Sequence, residues 1–337
     1  MISLILKEGG FDPTMLVGGV LDAMGSNAHL GHGKYLVFEA CEAYNSIDYF
    51  LPEISVLLNI DKDHMECYNN FDELKGTFSR FLNKVPFYSF CVVNIDDDNI
   101  KDIVPSLTKR VVTFGFSNEA DFRAANIEYN GINTSFDVIC NNENIGKFTL
   151  NIPGTHNVLN ALASIATAVH VGVAPEFIKS ALLKFKNSDR RFQILLEKEG
   201  LSVVDDYAHH PKEIEATLGA SRQYMKGRKL ENLVAIFQPH LFSRTKLHYE
   251  EFAKSLLLAD KIYLTSIYPA REKPIPGVTS NLIYDLMKEN KTCDVVYIED
   301  LNDLVKEVVK NKKEGDFIIT LGAGSITASA HKIAGLL

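Results

Sequence analysis

From residue 201 to the end of the chain, short apolar runs alternate with stretches of helical period. The runs near 201–204, 232–237, 260–264, 294–297 and 316–321 read as strands. The stretches near 211–225, 243–258, 279–289, 300–310 and 324–334 read as helices. Strict alternation of the two periods points to a mostly parallel sheet with helices on both faces, a doubly wound α/β domain. Open sheets of this kind bind ligands at the carboxyl ends of their strands. The residues that follow each apolar run are therefore the first candidates for function.

The first half has a different texture. YLVFEAC (35–41) and ISVLLN (54–59) predict buried parallel strands, and Phe90–Asn94 and Val111–Phe114 continue that pattern. Phe71, Leu74, Phe78, Phe81, Leu82 and Val85 share one helical face. Between 121 and 150, alternating stretches around Asn130-Gly131 and Asn141–Asn144 predict antiparallel hairpins. A strong helix is expected over 155–171, ended by Gly172, and a second near 175–185. The stretch KNSDRRFQIL (186–195) crosses a boundary, which gives two domains, 1–188 and 189–337. The opening MISLILKEGG reads as the end of a helix: no basic region precedes it and no small-residue cleavage site follows.

Composition narrows the function. Net charge is −8, which argues against a nucleic-acid partner. No apolar run approaches the length of a membrane span. The five cysteines are odd in number, dispersed and without a C-x-x-C pair, as expected of reduced thiols in the cytoplasm.

Chemistry gathers at the strand ends. VVDDYAHHPKEI (203–214) places Asp205, Asp206, Tyr207, His209 and His210 at the tip of a strand. One such residue is ordinarily a loop or cap group, but a cluster at a strand end suggests a site. QPHLFSRT (238–245) adds His240, Ser243, Arg244 and Thr245 where a helix begins, and the N–H groups there favour anions. Arg244 suits a carboxylate. Arg190 and Arg191, a solvated pair in most contexts, stand at the boundary, where a guanidinium suits phosphate. In the first half, Glu39 and Glu42 end one strand; Asn59, Asp61, Asp63 and His64 end the next. Carboxylates at such a corner suit Mg²⁺ beside phosphate oxygens, with His64 a weak ligand on its own. Asn157 and Asn160 share a helix face. Thr155 or Asn157 could simply cap that helix, whereas Asn160 lies deeper and could read an adenine edge. Two glycine stretches are decoys. GHGK (31–34) lacks the Gly at 28 and the Ser or Thr at 35 that G-x-x-x-x-G-K-[ST] requires, and reads as a turn. LGAGSI (321–326) reads as a tight strand-to-helix turn.

Taken in chain order, FEACE followed by NIDKDH, then GTHNVLNALASIA, RRFQ, VVDDYAHHPKEI and FQPHLFSRT resemble motifs of the Mur ligases, over essentially all 337 residues. The resemblance implies a central ATPase domain, mostly parallel with a small antiparallel part, followed by a Rossmann-like C-terminal domain. It implies ATP-dependent ligation of L-alanine to UDP-N-acetylmuramate through an acyl phosphate, in the synthesis of peptidoglycan precursors, with ATP and Mg²⁺ as cofactors. Carried over residue by residue, Glu39 and His64 are metal ligands, and Asn157, Asn160, Arg191, Asp206 and Tyr207 border the nucleotide. His209, His210, His240 and Arg244 line the substrate side. His64, Arg191, His209 and Arg244 are the catalytic candidates. The rival within the family attaches a recycled tripeptide to UDP-muramate; the rival outside enzymology is a truncated, non-catalytic nucleotide-binding module.

The chain departs from the family pattern at its start. Mur ligases carry a UDP-binding domain and then a G-T-x-G-K-T-T phosphate loop, and neither is among these residues. MISLILKEGGFDPT matches the helix that follows that loop. The expectation is a central sheet short of an inner strand, self-association through the exposed edge, and no ligase turnover by these residues alone. Leu241 stands where relatives often carry a larger polar or basic residue.

Overall fold

A computed structural model describes residues 1–21, 25–62, 65–289 and 293–337. The chain forms two compact units, one of residues 1–128 and 133–186, the other of 187–337 with the short turn 129–132.

The first unit starts with helix α1 (Ile2–Glu8), as MISLILKEGG predicts. Strands β1 (Thr14–Leu21), β2 (Ser26–His29) and β3 (Leu36–Phe38) make a three-stranded sheet in the order β2-β1-β3. The expectation of YLVFEAC and ISVLLN as neighbouring buried strands needs correction. β3 pairs in parallel with β1 and is partly exposed, whereas β4 (Ile54–Leu57) starts a separate sheet. That second sheet continues through helix α2 (Phe71–Leu82), β5 (Phe90–Asn94), α3 (Asp98–Ile103), β6 (Arg110–Gly115), β7 (Phe122–Asn130), β8 (Asn133–Cys140) and β9 (Glu143–Leu150), with its strands in sequence order. β4, β5, β6 and β7 run parallel; β8 and β9 form an antiparallel hairpin whose turn residues Asn141 and Asn142 have φ of 48° and 70°. Asparagine tolerates that left-handed turn better than most residues. Along β5, Phe90 and Val92 face one core while Cys91 and Val93 face another, so the strand is covered on both sides.

Helix α4 (Thr155–Val171) is buried nearly all round because Ala and Ser let its neighbours approach, and Gly172 ends it at φ 93°. Its N-cap position is Gly154, with no side-chain cap; neither Thr155 nor Asn157 fills that role. Helix α5 (Pro175–Lys184) closes the unit.

The second unit opens with β10 (Gln193–Lys198), an antiparallel edge strand that the strand pattern alone does not reveal. It continues β11 (Leu201–Asp206), α6 (Pro211–Met225), β12 (Asn232–Phe237), α7 (Phe242–Leu256), β13 (Lys261–Leu264), α8 (Asn281–Glu289), β14 (Asp294–Tyr297), α9 (Leu301–Asn311), β15 (Asp316–Leu321) and α10 (Ile326–Leu336). The strand order is β10-β11-β15-β12-β13-β14, all parallel after β10. Leu233, Ala235 and Phe237 of β12 face one core; Val234 and Ile236 face the other. Each fully buried large side chain contributes roughly 1.5–3 kcal/mol. The doubly wound prediction holds, and every expected strand and helix of this half is present.

Candidate functional site

The carboxyl end of the second unit's sheet carries a dense polar cluster. Strand β11 ends in Asp205 and Asp206, both buried. Asp206 spends its oxygens locally. Oδ2 accepts the Phe192 N–H at 2.7 Å; Oδ1 accepts the Ala208 N–H at 2.8 Å and the Thr217 hydroxyl at 3.3 Å. Burial raises its pKa to about 6, with the two N–H bonds only partly offsetting the loss of solvent. The side chain expected to border a nucleotide thus anchors the loops on either side of it.

Tyr207 presents its ring to two guanidiniums, Arg190 at 4.8 Å and Arg191 at 5.4 Å from the ring centre. Arg191 also reaches Glu213, Nη1 to Oε1 at 3.5 Å, and its side chain is 47% exposed. Glu213, in the first turn of α6, accepts the N–H groups of His209 and His210 at 2.9 and 3.1 Å. Burial works against its ionisation, but His209, those two N–H groups and Arg191 together hold its pKa below the ordinary value.

His209 and His240 come together, ring centres 5.8 Å apart. His209 Nδ1 lies 2.9 Å from the Tyr207 carbonyl. A carbonyl only accepts, so Nδ1 carries the proton there and Nε2 is the nitrogen whose protonation can change. His240 stacks on Tyr268 at 5.8 Å, and Arg244 lies 3.5 Å from its Nδ1. Burial, then the charges of His209 and Arg244, lower the His240 pKa to about 4, so the ring is neutral at pH 7. His210, expected on the substrate side, is buried instead, with its ring edge-on to His248 at 5.0 Å.

The anion seat expected at the start of α7 is already taken. Glu272 accepts the Ser243 N–H at 3.0 Å and the Ser243 hydroxyl. Gln238 does the same for α10, accepting the Ile326 N–H at 3.0 Å. Sequence reasoning missed both residues, as it missed Glu213, because each acts on a partner remote in the chain or across a turn.

In the first unit, Glu39 Oε2 accepts the Gly18 N–H at 2.9 Å. Its expected companion His64, like Asp63, lies outside the described residues. Among the described residues no group of three His, Cys, Asp or Glu could hold a metal. Asn157 donates to the Pro153 carbonyl at 2.7 Å and accepts from Asn160 Nδ2 at 3.4 Å, so the two amides sit side by side as their spacing predicts. GHGK is a structural turn. A Cβ on Gly31 would stand 2.2 Å from the Asp12 carbonyl oxygen, and one on Gly33 1.7 Å from that of Phe11. The glycines are there for backbone contact, not phosphate.

Sequence comparison matches residues 19–168 to the Mur ligase middle domain and 190–324 to the domain described as Mur ligase, glutamate ligase domain. The chain is 43% identical over 333 residues to a UDP-N-acetylmuramate–L-alanine ligase of Geotalea daltonii, covering 99% of this chain and 72% of that protein. It is 44% identical over 334 residues to a ligase of the same name from Caldanaerobacter subterraneus, covering 98% and 71%. Among solved structures, a UDP-N-acetylmuramate–alanine ligase from Thermotoga maritima superposes with a TM-score of 0.81 at 26% identity, over 99% of this chain and 71% of that one.

Proposed function

The chain belongs to the Mur ligase family, and on that premise we propose that it serves the ATP-dependent joining of L-alanine to UDP-N-acetylmuramate, a step in making peptidoglycan precursors. The observation that carries the reading is the strand-end cluster of Arg191, Tyr207, His209, His240 and Arg244, in a chain 43% identical to a ligase of that name. In such a reaction a muramoyl carboxylate oxygen attacks the γ-phosphorus of ATP and ADP leaves. The alanine amine then attacks the acyl-phosphate carbonyl; phosphate leaves and the nitrogen loses one proton.

The residues divide this work by their chemistry. Arg191 is half-exposed and backed by the Tyr207 ring, so its planar fork is available to phosphoryl oxygens. Arg244 suits the alanine carboxylate. Neutral His240 beside Nδ1-protonated His209 gives a pair able to accept a hydrogen bond or a proton from the amine. Asn157 and Asn160 suit the adenine edge. Mg²⁺, which takes one or two carboxylates plus phosphate oxygens, would find one protein oxygen in Glu39, with His64 its proposed companion; bound there it offsets phosphoryl charge. Five free cysteines and no helix long and apolar enough to cross a membrane among the described residues support a cytoplasmic enzyme.

The test is L-alanine-dependent phosphate release and amide product with ATP, Mg²⁺ and UDP-N-acetylmuramate. The 337 residues contain no G-x-x-x-x-G-K-[ST] pattern, so their turnover alone is expected to fall far below that of a polypeptide that also carries that loop and a UDP-binding domain. Absence of alanyl product from both overturns the proposal. Preference for a tripeptide over L-alanine moves it to the recycling ligase.

A further inference from the structure

Arg191 sits between two residues in the left-handed region, Arg190 at φ 60° and Phe192 at φ 47°. Neither is glycine, so each needs an external hold. The two consecutive carboxylates that end β11 supply both. Asp206 takes the Phe192 N–H. Asp205, wholly buried, takes Arg190 Nε at 3.3 Å and is itself fixed by the hydroxyls of Thr327 at 2.7 Å and Thr320 at 2.5 Å. The Arg190 fork continues past Asp205. Nη2 donates to the Gly322 carbonyl at 2.5 Å and approaches that of Gly324 at 3.5 Å, in the turn between β15 and α10. The Tyr207 N–H donates back to the Arg190 carbonyl at 2.6 Å.

We propose that Arg190 and Asp205 are positioning residues: a guanidinium–carboxylate strut, part-buried at Arg190 and buried at Asp205, that ties the 190–192 turn to β11 and to the β15–α10 turn, and so holds Arg191 over the Tyr207 ring. This rests on the reading of Arg191 as the phosphate-facing group. A buried ion pair is weak evidence for a stabilising role, since an apolar pair of similar volume often serves as well. The pair here does what an apolar pair cannot. It engages a side chain at one end and two backbone carbonyls at the other, from a residue whose backbone is otherwise unfavourable. The LGAGSI turn thereby gains a role: its carbonyls are the strut's far anchor.

The experiment compares Asp205→Asn, Arg190→Gln and Arg190→Lys with the unmodified chain. The first readout is amide hydrogen exchange at Phe192 and Tyr207. Loss of a charge-assisted anchor should speed exchange there about tenfold while β12 and β15 stay protected. Lysine cannot span Asp205 and the Gly322 carbonyl together, so Arg190→Lys should behave like Arg190→Gln. Unchanged exchange in the Arg190 variants, or full rescue by lysine, overturns the strut; should Asp205→Asn fail to fold, the two Arg190 variants decide. The second readout is ATP affinity in a double-mutant cycle with Arg191→Ala. A residue acting through Arg191 should add no further loss once Arg191 is gone, and additive losses overturn that coupling. If Arg191→Ala leaves ATP affinity unchanged, the phosphate assignment of Arg191 fails, and the exchange result still decides the strut.

Discussion

At the scale of single residues, two ionisable groups pull stability in opposite directions with pH. His240 titrates at about 4 instead of 6.5, because burial and the charges of His209 and Arg244 disfavour its cation. Between those values the unfolded chain binds a proton that the folded one refuses, so this group's effect destabilises the fold as pH falls from 6.5 to 4. Asp206 titrates at about 6 instead of 3.8 through burial. Its contribution is full below 3.8 and is lost as pH rises through 6. The two therefore offset one another across pH 4–6. Replacing His240 by Gln should unmask Asp206: relative to the unmodified chain, the variant should gain stability as pH is lowered from 6.5 to 4. Denaturation midpoints against pH check this, and parallel profiles would remove His240 from the account. Arg191→Ala tests chemistry instead. Its side chain is 47% exposed, so folding should be little affected. Ligation by a loop-bearing polypeptide should slow on the order of 10²–10³, the usual effect of losing a group that meets transition-state charge.

At the scale of elements, the start of α7 shows what sequence pattern can and cannot reveal. QPHLFSRT announces a helix start with polar company, and α7 begins at Phe242. The pattern does not show that Leu241 takes φ 70°, ψ 139°, nor that Glu272, 29 residues beyond Ser243, occupies the anion seat. Leu241 N–H donates to the Tyr268 carbonyl at 2.9 Å, and that long-range bond holds the backbone there. A non-glycine residue in this region costs about 1–3 kcal/mol. Leu241→Gly should therefore leave the melting temperature unchanged or raise it by roughly 2–4 °C, where Leu→Gly ordinarily lowers it. Glu272→Ala should cost about 1 kcal/mol by uncapping α7, seen as a lower denaturation midpoint with unchanged slope. The same contrast runs through the fold. The strands and helices after 200 are readable because each carries its own period. β1 is not, because TMLVGGVL has a Gly pair where a strand signal would peak; β10 is not, because its pairing is set by β11. In the site, DDYAHHP and SRT stand out as residue types. What Arg190, Asp205 and Gln238 bind does not, since their partners lie 15 to 132 residues away and only folding brings them together.

At the scale of the whole molecule, each unit has its own core, and their surfaces differ in kind. In the second unit the sheet is sheathed by helices on both faces, and antiparallel β10 edges it. In the first, β3 and β4 each end a sheet, leaving an unpaired edge among the described strands. Large apolar side chains follow β3 into solvent: Tyr44 is 81% exposed, Tyr49 86% and Leu51 84%. Open parallel edges beside exposed apolar side chains favour contact with a second copy. The expected outcome is a division of behaviour between the units. Residues 187–337 expressed alone should fold cooperatively and sediment as a monomer, because their core lies almost wholly within that stretch. The 337-residue chain should self-associate with rising concentration, and Tyr49→Lys with Leu51→Lys should reverse this without lowering its melting temperature, since both positions are already in solvent. Sedimentation velocity across a concentration series separates the cases. Association by 187–337 alone, or association of the full chain that survives the lysine pair, would place the adhesive surface elsewhere.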